Sequence, residues 1–208
     1  MGITTTGVNA KVEGNFIDGY NGDGIRPLGN NTVVRGNRIR NCVVTDANHD
    51  DGIQSWSTTV EGVDGLTLDS NVIAEWTGAA DHPLRCKLQG IGLFDGPYRN
   101  LVISNNLVVT DQYHGISLYG GHGARIVNNS VINARGNTGT TPYIAVRPHK
   151  NGTASTDVLV ANNVAMSFSG GASAVNRVEY HNNSVIGTPS LKFQNPAAFD
   201  YRPKASSG

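Results

Sequence analysis

Leu101-Val102-Ile103-Ser104-Asn105-Asn106-Leu107-Val108 places apolar side chains at Leu101 and Ile103, an amide at Asn106 and another apolar side chain at Val108. Apolar residues at period two on either side of a polar corner describe a strand, a sharp turn and a second strand. The same frame returns around Asn15, Asn37, Asn71, Asn129, Asn163 and Asn183. Three positions before these lie Val12, Val34, Leu68, Ile126, Val160 and Tyr180; two after them lie Ile17, Ile39, Ile73, Val131, Ala165 and Val185. So many copies predict a solenoid whose coils stack by parallel strand pairing, about 4.8 Å per rung. Asn side chains piled at one corner would hydrogen-bond along the stack and satisfy turn amides.

A second repeat alternates with the first. Its copies are Asp23-Gly24-Ile25-Arg26-Pro27-Leu28, His49-Asp50-Asp51-Gly52-Ile53-Gln54-Ser55-Trp56, Gln89-Gly90-Ile91-Gly92-Leu93-Phe94, His114-Gly115-Ile116-Ser117-Leu118-Tyr119 and Tyr143-Ile144-Ala145-Val146-Arg147. A weaker copy runs Gly171-Ala172-Ser173-Ala174-Val175. The inward column is Ile25, Ile53, Ile91, Ile116, Ile144 and Ala172, at intervals of 25 to 38 residues. Unequal intervals mean insertions, here residues 60–65, 76–85, 135–142 and 148–156, and insertions on one face of a solenoid commonly carry its site.

Glycine makes up 26 of 208 residues and charged side chains only 15%, a composition of turns and short strands rather than long helices. Sixteen basic residues balance sixteen acidic ones, so a general polyanion-binding surface of the kind that holds nucleic acid is not expected. No window is long and apolar enough to span a bilayer. Met1-Gly2 leads into Thr and Val residues without the charged-then-apolar start of a signal peptide. Cys42 and Cys86 form either a disulfide or two buried thiols, and a lone pair of cysteines favours the thiols.

Over residues 8–188 these frames resemble the right-handed parallel β-helix family, which includes pectate lyases, polygalacturonases, alginate epimerases and phage tailspikes. The resemblance implies an all-β, single-stranded right-handed parallel β-helix of about six to seven coils. It also implies one domain over residues 1–208, with coils over 8–188 and a C-terminal tail over 189–208. Phe199-Asp200-Tyr201-Arg202-Pro203-Lys204-Ala205 looks like the closing segment of many such proteins. Val8 enters a coil with no capping helix, which reads as a fragment or module with trimmed ends. A polysaccharide partner, no nucleic acid, no membrane, a monomer or trimer, and an extracellular, cell-surface or virion location are the expectations that follow.

Residues one and three positions after each core Ile should face outward. They include Arg26, Gln54 and Ser117, and then Trp56, Phe94, Tyr119 and Arg147. Three aromatics on consecutive rungs would make a stacking platform for sugar rings, unless a loop or partner covers them. Asp23 and Asp51 share a register on adjacent coils, so each should raise the other's pKa and divide acid and base roles between them. The alternatives are turn aspartates that accept backbone amides, or a Ca²⁺ shared by Asp23, Asp50 and Asp51. Zinc ligand spacing is absent, so no other metal is expected.

Asn21-Gly22-Asp23-Gly24, Asp50-Asp51, His114-Gly115-Ile116-Ser117 and Arg147-Pro148-His149-Lys150 are similar to four motifs of polygalacturonases. The similarity implies inverting hydrolysis. It departs from the family in placing Gln89 on the rung after Asp51, which carries His114 one rung further away. Lyase chemistry would instead use Arg85, Lys87 and His82 on the 76–85 insertion with His49, Tyr119, Arg147 and His149. Asn48-His49-Asp50-Asp51 echoes an alginate epimerase motif. The leading expectation is an enzyme that cleaves an acidic polysaccharide, hydrolysis ahead of β-elimination because paired Asp is the clearer signal. Asp51, Asp23 and His49 would lead the chemistry, with Asp50 and His114 in support. A non-catalytic binding or structural module is the alternative.

Overall fold

Seven residues with φ between 50° and 65° turn the chain at one corner: Gly14, Gly36, Ser70, Asn105, Asn128, Asn162 and Asn182. Each immediately precedes an Asn of the repeat. Left-handed backbone suits Gly and Asn, which is why the corner reads Gly-Asn or Asn-Asn in nearly every coil. In the computed structural model, which describes residues 2–45, 47–57, 59–133, 135 and 139–205, these corners join three parallel sheets of seven strands each.

The first sheet stacks Ile3–Thr5, Ile25–Pro27, Asp51–Trp56, Gln89–Asp95, His114–Tyr119, Tyr143–Arg147 and Ser167–Ser169. The second begins at Lys11–Glu13 and ends at Val178–His181, and the third begins at Phe16–Asp18 and ends at Ser184–Val185. A short fourth sheet stacks Val63–Asp64, Tyr98–Arg99 and Gly121–His122 where the first sheet turns toward the second. The chain is therefore a right-handed parallel β-helix of seven rungs. It begins pairing at Ile3, five residues before the expected start at Val8.

Ile25, Ile53, Ile91, Ile116 and Ile144 are register partners, all fully buried. On the last rung the expected Ala172 is replaced by Phe168, which pairs with Ile144. The 28-residue spacing pointed past it because the final coil is shorter. Glycine precedes most of these isoleucines for a packing reason. A Cβ on Gly24, Gly52, Gly90 or Gly115 would overlap Ile39, Ile73, Val108 or Val131, the inward side chains of the third sheet. The missing side chain lets the opposite wall cross the narrow core.

At the Asn corner the amides form a continuous ladder. Each backbone N–H and Nδ2 donates to Oδ1 of the next Asn, from Asn15 through Asn37, Asn71, Asn106, Asn129 and Asn163 to Asn183, at 2.9–3.0 Å. The second Nδ2 hydrogen caps a carbonyl of the preceding coil, as Asn106 does for Leu68. Beyond the coils, Pro189–Lys192 forms one helical turn and Phe193–Asn195 pairs antiparallel with Asp200–Pro203. Phe193 and Tyr201 pack this tail against Leu107, Ile132 and Val164 on the outside of the third sheet.

Cys42 and Cys86 are bonded, which corrects the thiol expectation. An antiparallel bridge between Val43 and Arg85, with Cys86 N–H donating to Cys42 O at 3.1 Å, brings the two Cα atoms to 5.5 Å. The bond ties the 76–85 insertion to the loop before Asp51. Because it closes a 44-residue separation, replacing both cysteines by Ser is expected to remove about 2–4 kcal/mol of stability. Calorimetry should register this as a fall in Tm of about 5–15 °C. An unchanged Tm would mean that the insertion is held without the bond.

Candidate functional site

On the outer face of the first sheet a cleft of about 350 Å³ is lined by His49, Asp51, Gln54, Gln89, Phe94, Asp95, Tyr113, His114, Tyr119 and Lys150, with Asn48 at its edge. Successive strands bring Asp51, Gln89, His114 and Tyr143 side by side, and bulges at Phe94 and before Ile116 tilt the flanking side chains over them.

Asp51 forms the floor. It is 0% exposed, and neither carboxyl oxygen has a hydrogen-bond partner among the described residues. Burial first, then the charges of Asp23 and Asp50, hold its pKa well above the usual carboxylate range, against a lowering from Arg26. Burial thus favours the neutral, protonated carboxyl over the carboxylate. Above it, a Cβ on Gly92 would overlap both Asp51 Oδ1 and the Phe94 ring, so glycine lets acid and ring meet. Tyr20 is also buried beneath this region, its hydroxyl without a hydrogen-bond partner among the described residues and its pKa raised by burial and by Asp50, Asp51 and Asp23.

Asp23 does not share the cleft as a second acid. The shared register places its Oδ1 3.0 Å from the Asp51 N–H, and Arg26 Nε reaches Oδ2 at 2.5 Å. It is a turn aspartate holding the neighbouring rung, and its effect on the site is electrostatic. Asp50 is buried with Oδ2 3.3 Å from Cys42 Sγ, and it lines the neighbouring hollow rather than the cleft. The three carboxylates do not converge as a Ca²⁺ cage. The one trio of ligand atoms within 4.8 Å among the described residues is Cys42, Asp50 and Cys86, whose sulfurs are bonded to each other.

The aromatic wall is real but shifted. Phe94 and Tyr119 meet edge-on at 5.3 Å, and His114 joins them 4.9 Å from Phe94. Tyr113 and Tyr143 extend the wall beside His114, at 4.4 and 5.3 Å. Trp56 falls outside it, because the bulge pairs Trp56 with Asp95 rather than Phe94. Its ring instead lies under Arg26, 5.5 Å from the guanidinium carbon.

His114 Nδ1 meets Ser117 Oγ at 2.8 Å and the Tyr143 hydroxyl at 3.1 Å. Both contacts engage the same ring nitrogen, which leaves Nε2 outside them. Burial, with Arg147 and His49 nearby, lowers the His114 pKa to about 4, so the ring is neutral at pH 7. Burial raises the Tyr143 hydroxyl to about 12. The extra rung at Gln89 separates His114 from Asp51 in register, as expected, yet both line the same cleft.

The other expected residues divide among neighbours of the cleft. Arg85 is held 2.6 Å from Glu75, with its side chain only 7% exposed. Glu75 also accepts from Thr110 Oγ1 and from Asp111 N–H, so this ion pair anchors the 76–85 insertion. Lys87 is exposed and lines a second hollow that shares Asn48 and His49 with the cleft. His82 stacks on Trp76, ring centroids 4.8 Å apart. Arg147 donates to Ser169 Oγ at 2.6 Å, and His149 lines a separate groove beyond the strand ends. Of the 135–142 insertion, residues 136–138 lie outside the described set.

Sequence reasoning missed Asp95 and met Lys150 only as the end of the Arg147–Lys150 motif; the two pair at 2.6 Å on the cleft wall. Their separation of 55 residues carries no local signal. Tyr113 and Tyr143 were visible beside the repeat but had no assigned role.

Residues 1–143 match the family described as a right handed beta helix region, and the chain belongs to that family. No curated protein matches it in sequence. The matched segment includes the cleft residues from Asn48 to Tyr119 and stops short of Lys150.

Proposed function

We propose that the chain is a carbohydrate-active β-helix module that cleaves a glycosidic bond in the Asp51 cleft. The observation that carries this reading is a carboxyl kept protonated by burial at the floor of an aromatic-walled cleft. In the free protein the carboxyl is shielded from solvent, so a sugar ring reaches it by displacing the Phe94 ring. Asp51 would then give its proton to the glycosidic oxygen as the bond to the anomeric carbon breaks. Asp95, the second carboxylate lining the cleft, would take a proton from the attacking water, with Lys150 fixing its orientation. Phe94 and Tyr119 offer an apolar platform, and Gln54, Gln89, His49 and His114 surround it with polar groups. The Cys42–Cys86 bond supports action in an oxidising, extracellular or surface location.

A non-catalytic saccharide-binding module, monomeric or trimeric, is the second reading. One observation favours it: Asp51 is closed from solvent and Asp23 is already satisfied by Arg26 and a backbone amide. Incubation with a panel of acidic and neutral polysaccharides decides, read by a reducing-end assay and absorbance at 235 nm. New reducing ends without absorbance are the expected result. Absorbance would assign β-elimination instead, with Lys150 and His49 as the groups to test. Binding without either signal would establish the non-catalytic module.

A further inference from the structure

Among the described residues, every half-buried arginine but one faces a carboxylate. Arg26 meets Asp23 at 2.5 Å, Arg40 meets Asp18 at 2.8 Å and Arg85 meets Glu75 at 2.6 Å. Arg99 is half-buried as well, and its guanidinium has no hydrogen-bond or ion-pair partner among the described residues. It stands in an outward ladder of register partners, Asp64, Arg99, His122 and Thr156. Asp64 gives Oδ1 to Asn100 Nδ2 at 2.9 Å instead. A partly desolvated cation that makes no ion pair is unfavourable, and an anion placed in contact with it relieves that cost.

Arg99 opens into a groove of about 550 Å³ with His122, His149, Thr59, Asn151 and Thr153. Both imidazoles use Nδ1 within the protein: His122 against Thr156 Oγ1 at 2.9 Å, and His149 as acceptor from the Asn151 N–H at 3.4 Å. The His149 hydrogen therefore sits on Nε2, a donor left for a ligand. The groove adjoins the cleft at the Asp95–Lys150 pair. Asp95 and Lys150 line the cleft, while the adjacent Gly96 and His149 line the groove.

We propose that the groove is a second saccharide site that holds an oxyanion, a carboxylate or a sulfate ester, on a sugar beyond those in the cleft. That the anion belongs to a saccharide rests on the function proposed above; the preference for an anion rests on Arg99 and the groove alone. Arg99 would form a two-pronged charge-assisted contact, with His149 and the hydroxyls adding neutral donors.

Isothermal titration with trigalacturonate, a heparin-derived tetrasaccharide and maltotetraose tests this. Wild type should bind one charged oligosaccharide more tightly than the neutral one, and the charged probe that binds identifies carboxylate or sulfate as the group recognised. Arg99→Gln should weaken that binding by about tenfold or more, Arg99→Lys should recover part of it, and maltotetraose should be unaffected. Equal affinity of wild type and Arg99→Gln for the charged probe would overturn the proposal, as would binding of inorganic sulfate with neither charged oligosaccharide. Cleavage assays on the same variants separate this inference from the cleavage reading. Turnover with Arg99-independent affinity sinks only the groove, whereas Arg99-dependent binding without turnover of any polymer sinks only cleavage.

Discussion

Replacing Asn106 by Ala is expected to destabilise the protein by about 3–5 kcal/mol, since each buried polar group left unpaired costs about 1–3 kcal/mol. Its Oδ1 accepts from the Asn71 N–H at 2.9 Å and from Asn71 Nδ2 at 3.0 Å. Its Nδ2 donates to Leu68 O at 2.9 Å and to Asn129 Oδ1 at 3.0 Å. All of these groups are buried, so no water replaces the lost bonds. A whole domain has about 5–15 kcal/mol of stability to lose. Asn15 is the internal control: at the end of the ladder it donates to Asn37 Oδ1 and Glu13 O in partly exposed surroundings. Asn15→Ala should therefore cost well under half as much. Urea unfolding of the two variants compares them directly, and equal losses would show that the ladder is not a buried cooperative element.

Asp51→Asn should move activity and stability in opposite directions. Asn fills the same volume but holds no transferable proton, so cleavage should fall by about 10²- to 10⁴-fold. Stability should rise at neutral pH. The folded pKa of Asp51 lies well above its unfolded value, so between the two the native state binds more protons than the unfolded one. Stability of the wild type consequently falls as pH rises through that window. The amide escapes this dependence, so the gain should grow as pH rises above the ordinary Asp value of about 4 and vanish well below it, where both states are protonated. Each kcal/mol gained corresponds to a rise in Tm of about 2–4 °C for a chain of this length. Full activity in the variant would remove Asp51 from the chemistry. A stability difference independent of pH would contradict its buried, protonated state.

His114 contributes with the reverse sign. Its pKa of about 4 lies below the ordinary imidazole value, so stability from this site is present at neutral pH and is lost as pH falls from about 6.5 toward 4. The two titrations overlap above about pH 4 but have opposite signs, so repeating the wild-type melt with each group substituted separates them.

The coils were legible because a solenoid writes its core into the chain at short range. Asn106 with Ile103 and Val108 is a local pattern, and its repetition at Asn37 or Asn163 needs no knowledge of what lies opposite. The reading failed at the last rung, where Ala172 fitted the interval but Phe168 takes the register position and packs against the core. It was also inconclusive for Cys42 and Cys86, because two cysteines do not reveal whether their loops meet.

The sequence by itself determined the inward positions of all but the last rung, which corner carries the amide ladder, and that Phe94 and Tyr119 lie along one outer strip. Side chains alternate at period two and rungs repeat at a constant height, so those facts are one-dimensional. Only the tertiary structure decided what the strip does chemically. It turned Asp23 from a second acid into a backbone acceptor tied to Arg26, gave Arg85 to Glu75, and brought Asp95 and Lys150 together on the cleft wall. It also moved Trp56 out of the aromatic row through a single bulge. Burial, bulges and contacts between insertions depend on distances across coils, and those distances set whether a carboxyl is a solvated anion, a turn acceptor or a protonated acid.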